Sequence, residues 1–315
     1  VLAFGTVGAR MSVLATTDPV EPKATSASAP IVAQRADIVD RNGAILATNL
    51  QTASLYGQPH LMVDRAAAAA GLAKIFPDLN ETVLLKRFSG KRKFIWIKRS
   101  LSPEQRQAVH DLGEPGLQFG PREMRLYPNG TLAAHVLGGY GFGREGVHAA
   151  EVIGSAGVEL TYDAFLRDPT NQGRPLELSL DLGVQAAIER VLAGGMRLMN
   201  AKGAAAVLME AKTGQIVAMT SLPNFDPNKR PLPPSSGDPS DSPIFNRAAQ
   251  GVYELGATFK VFTAAQALEL GLATRDTVID TKGPLAWGRF RIRDFHDYGP
   301  KLPLNAVIVK SSNIG

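Results

Sequence analysis

The sequence predicts an α+β chain of two domains, and three observations carry that prediction. Its 315 residues are about twice the length of an average domain. Apolar residues make up 44% and charged residues 20%, a balance that is ordinary for a globular protein and unlike that of a disordered chain or a multi-span membrane protein. Short strand-type runs and longer helix-type runs both occur, so sheets and helices share the cores.

The first organised region begins near residue 34 with a predicted β-hairpin. Two apolar runs within residues 36–47 flank Asn42-Gly43, the residue pair that most readily adopts the positive φ angles of a tight turn. Helices are expected next over residues 65–76 and 82–88, because strong helix formers dominate there. A further helix over residues 102–112 is expected to begin with Ser102 as its cap and a proline in its first turn.

A basic segment accounts for the positive charge of the chain. Residues 86–99 hold seven basic and no acidic side chains, whereas the formal charge of the whole chain is +5. β-Branched and aromatic residues at 93–98 predict a strand with cationic flanks. Aromatic residues beside cations suit single-stranded nucleic acid, but no RNA-binding motif is present, so we expect no nucleic acid partner. A solvated face, anionic lipid headgroups or an acidic protein remain as alternatives.

A glycine-rich stretch follows at residues 138–146. It lacks the Lys-Ser/Thr pair of a phosphate-binding loop and the strand-turn-helix context of a dinucleotide fingerprint. We therefore expect turns and close backbone approach there, and no nucleotide site.

The second region begins near residue 175 with a short strand and a helix. Residues 176–180 predict the strand, and Asp181 caps a helix whose apolar residues recur at spacings of four and three through Leu198. Two apolar strands at 204–209 and 215–220 are then joined by a hairpin turn that contains Lys212-Thr-Gly214.

A long loop and another helix come next. Six prolines over residues 226–243 predict an exposed loop. Val261, Ala265 and Leu268 lie at helical spacing, which predicts a buried helix that starts near Gly256 and stops at Gly271.

Cysteine is absent and histidine is sparse. The lack of cysteine excludes disulfides, thiolate ligands and cysteine nucleophiles, and the five histidines have no paired spacing. We expect no metal and no other cofactor.

The pattern with chemical content lies at the start of the predicted helix near Gly256. Lys260 follows position 257 by three residues, so the two share a helix face. A serine at 257 would be an activated nucleophile, because a desolvated lysine amine can remove its proton and the helix N-terminus can stabilise an oxyanion. This is the S-x-x-K arrangement, but its first position is Ala257. Ser311 and Asn313 form an S-x-N element about fifty residues further on.

Taken together, the motifs resemble class B penicillin-binding proteins of the cell-division (septal) type. The following stretches occur in that family's order: IVDRNGAILA, FIWIKRSLSPEQ, RLYP at 125–128, AAHVLGG, GVE at 157–159, LSLDLGVQ, EAKTGQIVAM, FNRA, YELGATFK and KSSNIG. One S-x-x-K tetrapeptide would be a weak signal, whereas this collinear series spans nearly the entire chain.

The resemblance implies three segments and a location. Residues 1–33 would be the end of a membrane anchor and a linker, residues 34–174 an elongated pedestal of the dimerisation type, and residues 175–315 the first part of a β-lactamase-like transpeptidase domain. The apolar run at residues 1–8 is too short to cross a bilayer, which takes about 20 residues, so a floppy terminus is the alternative. The implied location is the inner membrane at the septum, single-pass, with the bulk on the periplasmic side.

The resemblance also implies a peptidoglycan D,D-transpeptidase. The serine attacks the terminal D-Ala-D-Ala of a stem peptide, and an amine of a neighbouring stem peptide takes the acyl group; β-lactams mimic the donor. By position, residue 257 is the nucleophile site, Lys260 the base, Ser311 the proton relay and Asn313 the contact to the substrate amide. Arg125 and Glu159 match residues that tie the pedestal to the catalytic domain; two ordinary surface charges are the alternative. A SEDS-type glycan polymerase and other division proteins are the implied partners.

Three departures from the family pattern bear on activity. Ala257 removes the nucleophile, and Thr258 cannot replace it because one helical step turns its side chain about 100° away. The intact surroundings favour a deliberate inactivating substitution, with a non-catalytic division scaffold as the alternative. The family's K-T-G strand would lie beyond Gly315, and Lys212-Thr-Gly214 precedes the S-x-x-K position, so we interpret it as a hairpin turn only.

Overall fold

The computed structural model describes residues 35–146 and 150–315 in two compact units. The first unit ends at Gly251 and the second comprises Val252–Gly315. The expected anchor and linker at residues 1–33 lie outside the described residues. The predicted division between residues 174 and 175 falls inside the first unit and stays a prediction. Among the helices that the structure describes, none is both long and apolar enough to span a membrane.

A five-stranded sheet organises the first part of the chain. Strand β1 (Ile38–Val39) and the long strand β2 (Ile45–Gly57) form the predicted hairpin, and Gly43 in its turn has a φ of +80°. Strand β3 (Ile95–Leu101) and strand β4 (Leu117–Leu126) both pair antiparallel with β2, and the β2–β4 register runs from Thr48 with Leu126 to Gly57 with Leu117.

Three helices cover this sheet at the far end of β2. They are α1 (Arg65–Ile75), α2 (Glu81–Phe88) and α3 (Pro103–His110). The predicted cap is confirmed, because the Ser102 hydroxyl accepts from the Gln105 amide while the Gln105 side chain accepts from the Ser102 amide. These elements enclose a core of thirteen buried apolar side chains, which includes Leu55, Leu72 and Phe88.

The basic segment extends over α2, the following turn and β3. Three of its side chains have partners within the first unit: Arg87 donates to the Trp96 carbonyl oxygen, Lys98 pairs with Asp78 at 2.5 Å, and Arg99 pairs with Glu145 at 2.7 Å. Residues 91–93 are exposed. The choice between a solvated face, a lipid surface and an acidic partner stays open.

The glycine-rich stretch forms a strand, so the prediction of turns there was wrong. Strand β5 (Gly139–Glu145) follows the short helix α4 (Ala134–Leu137) and pairs antiparallel with β6 (Ala150–Ala156). Close backbone approach was predicted correctly, because a Cβ on Gly138 would overlap the Ala156 carbonyl oxygen. A single-sequence pattern does not show a glycine strand, since glycine is disfavoured in strands generally.

Two short helices and a short strand come next along the chain. Helices α5 (Gly157–Thr161) and α6 (Asp163–Arg167) follow β6, and strand β7 (Leu176–Glu177) pairs parallel with β1. The predicted strand over residues 176–180 is thus shorter, because its partner β1 ends where the hairpin turn begins. Ile38, Leu46, Tyr127 and Leu166 belong to a second buried core beneath these elements.

The next helix and hairpin form where they were predicted, but the apolar face of the helix is not buried along its length, because Val191 and Leu198 are 71% and 82% exposed. Helix α7 (Leu182–Leu198) is capped by Asp181, and strands β8 (Ala204–Met209) and β9 (Ile216–Leu222) pair antiparallel. The buried Gln185 side chain donates to the Met219 carbonyl oxygen and accepts from the Met219 amide, which fixes α7 against β9. The long loop after residue 226 contains two short 3-10 helices, Pro227–Lys229 and Pro239–Asp241.

The second unit is small and largely open to solvent. It contains a 3-10 turn (Gly256–Phe259), helix α8 (Lys260–Glu269), the short strands β10 (Val278–Asp280), β11 (Leu285–Trp287), β12 (Phe290–Ile292) and β13 (Lys301–Pro303), and helix α9 (Leu304–Val309). Strand β10 pairs with β13, and β11 with β12.

Helix α8 is exposed, so the prediction of a buried helix was wrong. It has no buried residue, and Phe262 and Leu268 are 63% and 46% exposed. Apolar spacing shows which face of a helix avoids water but not which element covers it, and no sheet of the second unit packs on this face.

Candidate functional site

The S-x-x-K position lies on the 3-10 turn that leads into α8. Gly256 has a φ of +60°, a left-handed conformation that glycine adopts freely, and it starts the turn. The Lys260 amide donates to the Ala257 and Thr258 carbonyl oxygens. Residues three apart eclipse one another in a 3-10 helix, so Ala257 and Lys260 occupy one face, as the spacing predicts.

Thr258 has a different use in the structure. Its hydroxyl donates to the Leu255 carbonyl oxygen at 2.6 Å. The proton that a nucleophilic hydroxyl would have to give up is therefore engaged by the backbone, away from the lysine.

The S-x-N element lies in the turn that ends α9. Ser311 has a φ of +53°, which is uncommon for a residue with a side chain, and the Ser312 amide donates back to the Val307 carbonyl oxygen at 3.0 Å. This left-handed residue stops the helix and turns the chain, so that Ser311 and Asn313 are exposed and Ser312 is buried.

The Lys260 ammonium joins the two motifs. Its Nζ atom donates to the Ser311 carbonyl oxygen at 2.6 Å, to Ser311 Oγ at 3.1 Å and to Asn313 Oδ1 at 2.6 Å. The ammonium has three protons, and the three acceptors match that number. The structure thus brings together Lys260, Ser311 and Asn313, with Ala257 one turn before the lysine.

Asp294 contacts the same turn, and sequence reasoning did not single it out. Its carboxylate accepts from Ser312 Oγ at 2.7 Å and from the amides of Asn313 and Ile314. Burial works to raise the pKa of this carboxyl, but the hydrogen bonds and the nearby Lys260 charge outweigh it and leave the pKa lowered. Asp294 belongs to none of the motifs named above. The only sequence signal near it is the charged RDFHD stretch at residues 293–297.

Arg125 and Glu159 form a buried ion pair inside the pedestal region. Their side chains are completely buried, and Arg125 Nε lies 2.7 Å from Glu159 Oε1. Arg35 Nε lies 2.7 Å from the other carboxylate oxygen, and the Tyr127 hydroxyl is 3.3 Å from Oε1. The alternative of two ordinary surface charges is wrong.

Other residues join the segments on either side of residue 174. The Asn228 side chain exchanges hydrogen bonds with both backbone atoms of Tyr127, and Asp40 accepts from the Leu182 amide. Glu189 accepts from the Ala133 amide at 3.0 Å. The interdomain role expected for Arg125 and Glu159 stays a prediction.

The Lys212-Thr-Gly214 sequence lies in the turn between β8 and β9. Gly214 has a φ of +75°, and the Thr213 hydroxyl donates to the Glu210 carboxylate at 2.6 Å. Both contacts are internal to the turn, in agreement with its interpretation as a hairpin. Within residues 35–146 and 150–315, no group of three or more acidic or histidine side chains is placed to hold a metal ion.

Two parts of the chain match known domain families. Residues 30–174 match the penicillin-binding protein dimerisation domain, and residues 204–315 match the penicillin-binding protein transpeptidase domain. The chain belongs to the penicillin-binding protein family. The family resemblance and the α+β fold with a dimerisation domain followed by a transpeptidase domain are therefore confirmed.

Curated relatives carry transpeptidase names. The chain is 36% identical over 282 residues to the probable peptidoglycan D,D-transpeptidase FtsI of Caulobacter vibrioides, covering 89% of this chain and 45% of the relative. It is 33% identical to the probable peptidoglycan D,D-transpeptidase PenA of Neisseria gonorrhoeae, covering 90% and 51%. The chain thus spans about half the length of the curated relatives that it matches.

Solved structures agree in fold. The penicillin-binding protein PBP2 of Helicobacter pylori matches with a TM-score of 0.67 at 22% identity, over 90% of this chain and 61% of that chain. The same protein in a complex with MreC matches with a TM-score of 0.64 at 22% identity, over 88% and 59%. At such identity the likeness shows the fold alone.

Proposed function

We propose that the protein from which this chain comes is a septal peptidoglycan D,D-transpeptidase that works through a serine acyl-enzyme at position 257. The carrying observation is the Lys260 ammonium, which contacts Ser311 and Asn313 and so assembles two separate motifs into one exposed cluster. The transpeptidase names of relatives at 36% and 33% identity support the reaction class.

The roles in the reaction follow from the positions of these groups. With a serine at 257, its Oγ would attack the carbonyl carbon of the terminal D-Ala-D-Ala bond. Lys260, once its ammonium has lost a proton to become an amine, would take the hydroxyl proton. Ser311 Oγ, at 3.1 Å from Lys260 Nζ, would pass a proton to the leaving D-Ala nitrogen. The Asn313 amide would hold the substrate peptide. An amine of a second stem peptide then takes the acyl group.

The chain as given lacks the attacking atom. A methyl group at position 257 cannot form an acyl-enzyme, and the Thr258 hydroxyl is bonded to the backbone. We therefore propose that this chain is acylation-dead. β-Lactams, which mimic the donor peptide, would bind the same cluster without covalent capture.

The remaining partners follow from this proposal. The protein would be anchored in the inner membrane by a single span, with its bulk in the periplasm at the septum. Stem peptides would be its substrates, and a SEDS-type glycan polymerase and other division proteins its partners. The complex of the Helicobacter pylori relative with MreC supports a protein-binding role for this kind of fold.

A fluorescent penicillin tests the catalytic proposal in the product of the entire gene. We expect no covalent label with Ala257, and strong labelling after Ala257→Ser. Adding Lys260→Met to Ala257→Ser should slow labelling by about 100-fold or more, because the base is removed. Covalent label on the Ala257 form, at Lys260 or Thr258, would overturn the proposal.

A second function, a non-catalytic division scaffold, is favoured by one observation, the alanine at the nucleophile position. Complementation separates the two. If the entire gene with Ala257 restores septation in cells depleted of the native protein, the scaffold function holds. The DNA sequence of the gene at codon 257 shows whether the alanine is natural.

A further inference from the structure

The turn after α9 holds its shape against the local preference of its backbone. Ser311 is in the left-handed region, which is strained for a residue with a side chain. The residues that follow it form no helix and pair with no strand in the described second unit. Such a turn needs contacts from elsewhere in the chain to keep one conformation.

Asp294 makes those contacts with both of its carboxylate oxygens. Oδ1 accepts the amides of Asn313 and Ile314, and Oδ2 accepts the Ser312 hydroxyl at 2.7 Å. Ser312 Oγ in turn accepts the Gly315 amide at 2.9 Å. Three successive residues of the turn are therefore bonded to one side chain eighteen to twenty positions earlier.

Arg293, the residue before Asp294, orients the Asn313 side chain. Asn313 Nδ2 donates to the Arg293 carbonyl oxygen at 2.9 Å, and this leaves Oδ1 directed at Lys260 Nζ. An asparagine amide has a donor end and an acceptor end, so a fixed acceptor on one side determines which end meets the lysine. Arg293 and Asp294 together thus set both the backbone and the side chain of Asn313.

We propose that Asp294 is a positioning residue of the transpeptidase site, which holds the turn that presents Ser311 and Asn313 to Lys260. The inference rests on the proposed function for its catalytic consequence. Among the contacts described, Asp294 makes no hydrogen bond to Lys260, so it acts on the lysine through the turn and through its charge. A carboxylate suits this task because it accepts in several directions at once and needs no proton of its own.

The first part of the test measures the turn in this chain and does not depend on activity. We expect Asp294→Ala to speed hydrogen exchange at the Asn313 and Ile314 amides by about 10-fold or more, because their acceptor is gone. Asp297→Ala is the matched control, since Asp297 is exposed in the same loop and accepts only the Gly299 amide among the contacts described. It should leave exchange at both turn amides unchanged.

The second part measures acylation in the product of the entire gene with Ala257→Ser. Asp294→Ala should lower the second-order rate of penicillin acylation by about 10- to 100-fold, as displacement of a catalytic group does. Asp294→Asn retains an acceptor oxygen at the same place and should restore most of that rate. Ser312→Ala removes one of the three contacts to Asp294, together with the bond from the Gly315 amide, and should give a smaller loss of that rate.

Each result decides a separate question. Unchanged exchange in Asp294→Ala overturns the structural part of the proposal, and faster exchange with unchanged acylation overturns the positioning role. If the Ala257→Ser protein with Asp294 intact is not acylated, the proposed function fails, and the exchange measurement still shows whether Asp294 holds the turn.

Discussion

The Glu159 carboxylate and the Lys260 ammonium each make three polar contacts, yet their surroundings differ. Glu159 is completely buried between Arg35 and Arg125, and both of its oxygens are occupied. Lys260 is only partly buried, and its partners Ser311 and Asn313 are exposed. A buried ion pair has no room for a substrate, whereas an exposed cation beside a hydroxyl and an amide remains open to one. The Glu159 cluster therefore suits a role in stability, and the Lys260 cluster suits contact with a substrate.

The same contrast extends to the units that hold them. In the first unit, apolar side chains such as Leu55 and Phe88 are fully buried. In the second unit, α8 buries no residue, and the small core is formed by Leu302, Leu304 and Val307. The buried ion pair therefore lies among buried side chains, while the exposed cluster depends on local hydrogen bonds.

The largest effect is expected from breaking the buried ion pair. Glu159→Gln keeps the shape of the side chain but leaves the buried Arg125 without its counter-charge and Arg35 with Asp163 alone, so the free energy of unfolding should fall by about 3–5 kcal/mol. Urea unfolding monitored by circular dichroism measures it. Glu177→Gln, at an exposed position, is the control and should change little. A loss below about 1 kcal/mol for Glu159→Gln would remove the distinction between the clusters.

A smaller effect is expected from one leucine in each unit. Leu72 on α1 is completely buried, and Leu72→Ala should lower the free energy of unfolding by about 2–5 kcal/mol through lost contacts and a cavity. Leu268 on α8 is 46% exposed, so Leu268→Ala should cost about 0.5 kcal/mol. Urea unfolding of both variants checks the pair. Equal losses would show that α8 is covered in solution.

The smallest effect concerns acid stability near the buried pair. Burial works to raise the pKa of Asp163, but bonds from the Gly154 amide, Arg35 and Arg167 outweigh it and lower the pKa. A lowered folded-state pKa adds stability that is present above the unfolded value and lost as pH falls through the folded one. Asp163→Asn should therefore flatten the loss of stability below about pH 4, which urea unfolding at a series of pH values measures.

A carboxyl of opposite behaviour is the control for that measurement. Burial raises the pKa of Glu123 despite a hydrogen bond from Gln51. As pH falls, Glu123 takes up a proton in the folded protein at a higher pH than in the unfolded chain. Protonation of this group therefore stabilises the folded protein on acidification. Glu123→Gln should make the acid limb steeper, and identical acid limbs for the two variants would contradict both assignments.

Local signals predicted the elements that depend on neighbouring residues. The capping box at Ser102, the Asn42-Gly43 turn and the helix after Asp181 all satisfy backbone groups within a few positions, so the sequence pattern contains them. The S-x-x-K and S-x-N spacings predicted Lys260, Ser311 and Asn313, which the structure brings together.

Long-range contacts were beyond the sequence pattern. Asp294 meets its turn across about twenty residues, and Arg35 meets Glu159 across 124. Nothing in the spacing of a single sequence reports which loop folds back on which turn. The prediction that α8 is buried was wrong for a related reason. An apolar helix face predicts burial but does not show which element covers it.

Strand β2 has a mechanical consequence. It is thirteen residues long and borders two separate cores, with Leu46 in one and Leu55 in the other. Ten successive register pairs join it to β4. A pulling force along the axis of β2 would load the hydrogen bonds between these paired residues in shear. The bonds would then have to break together and not one after another. We therefore expect the sheet around β2 to resist force along this strand better than force applied across it.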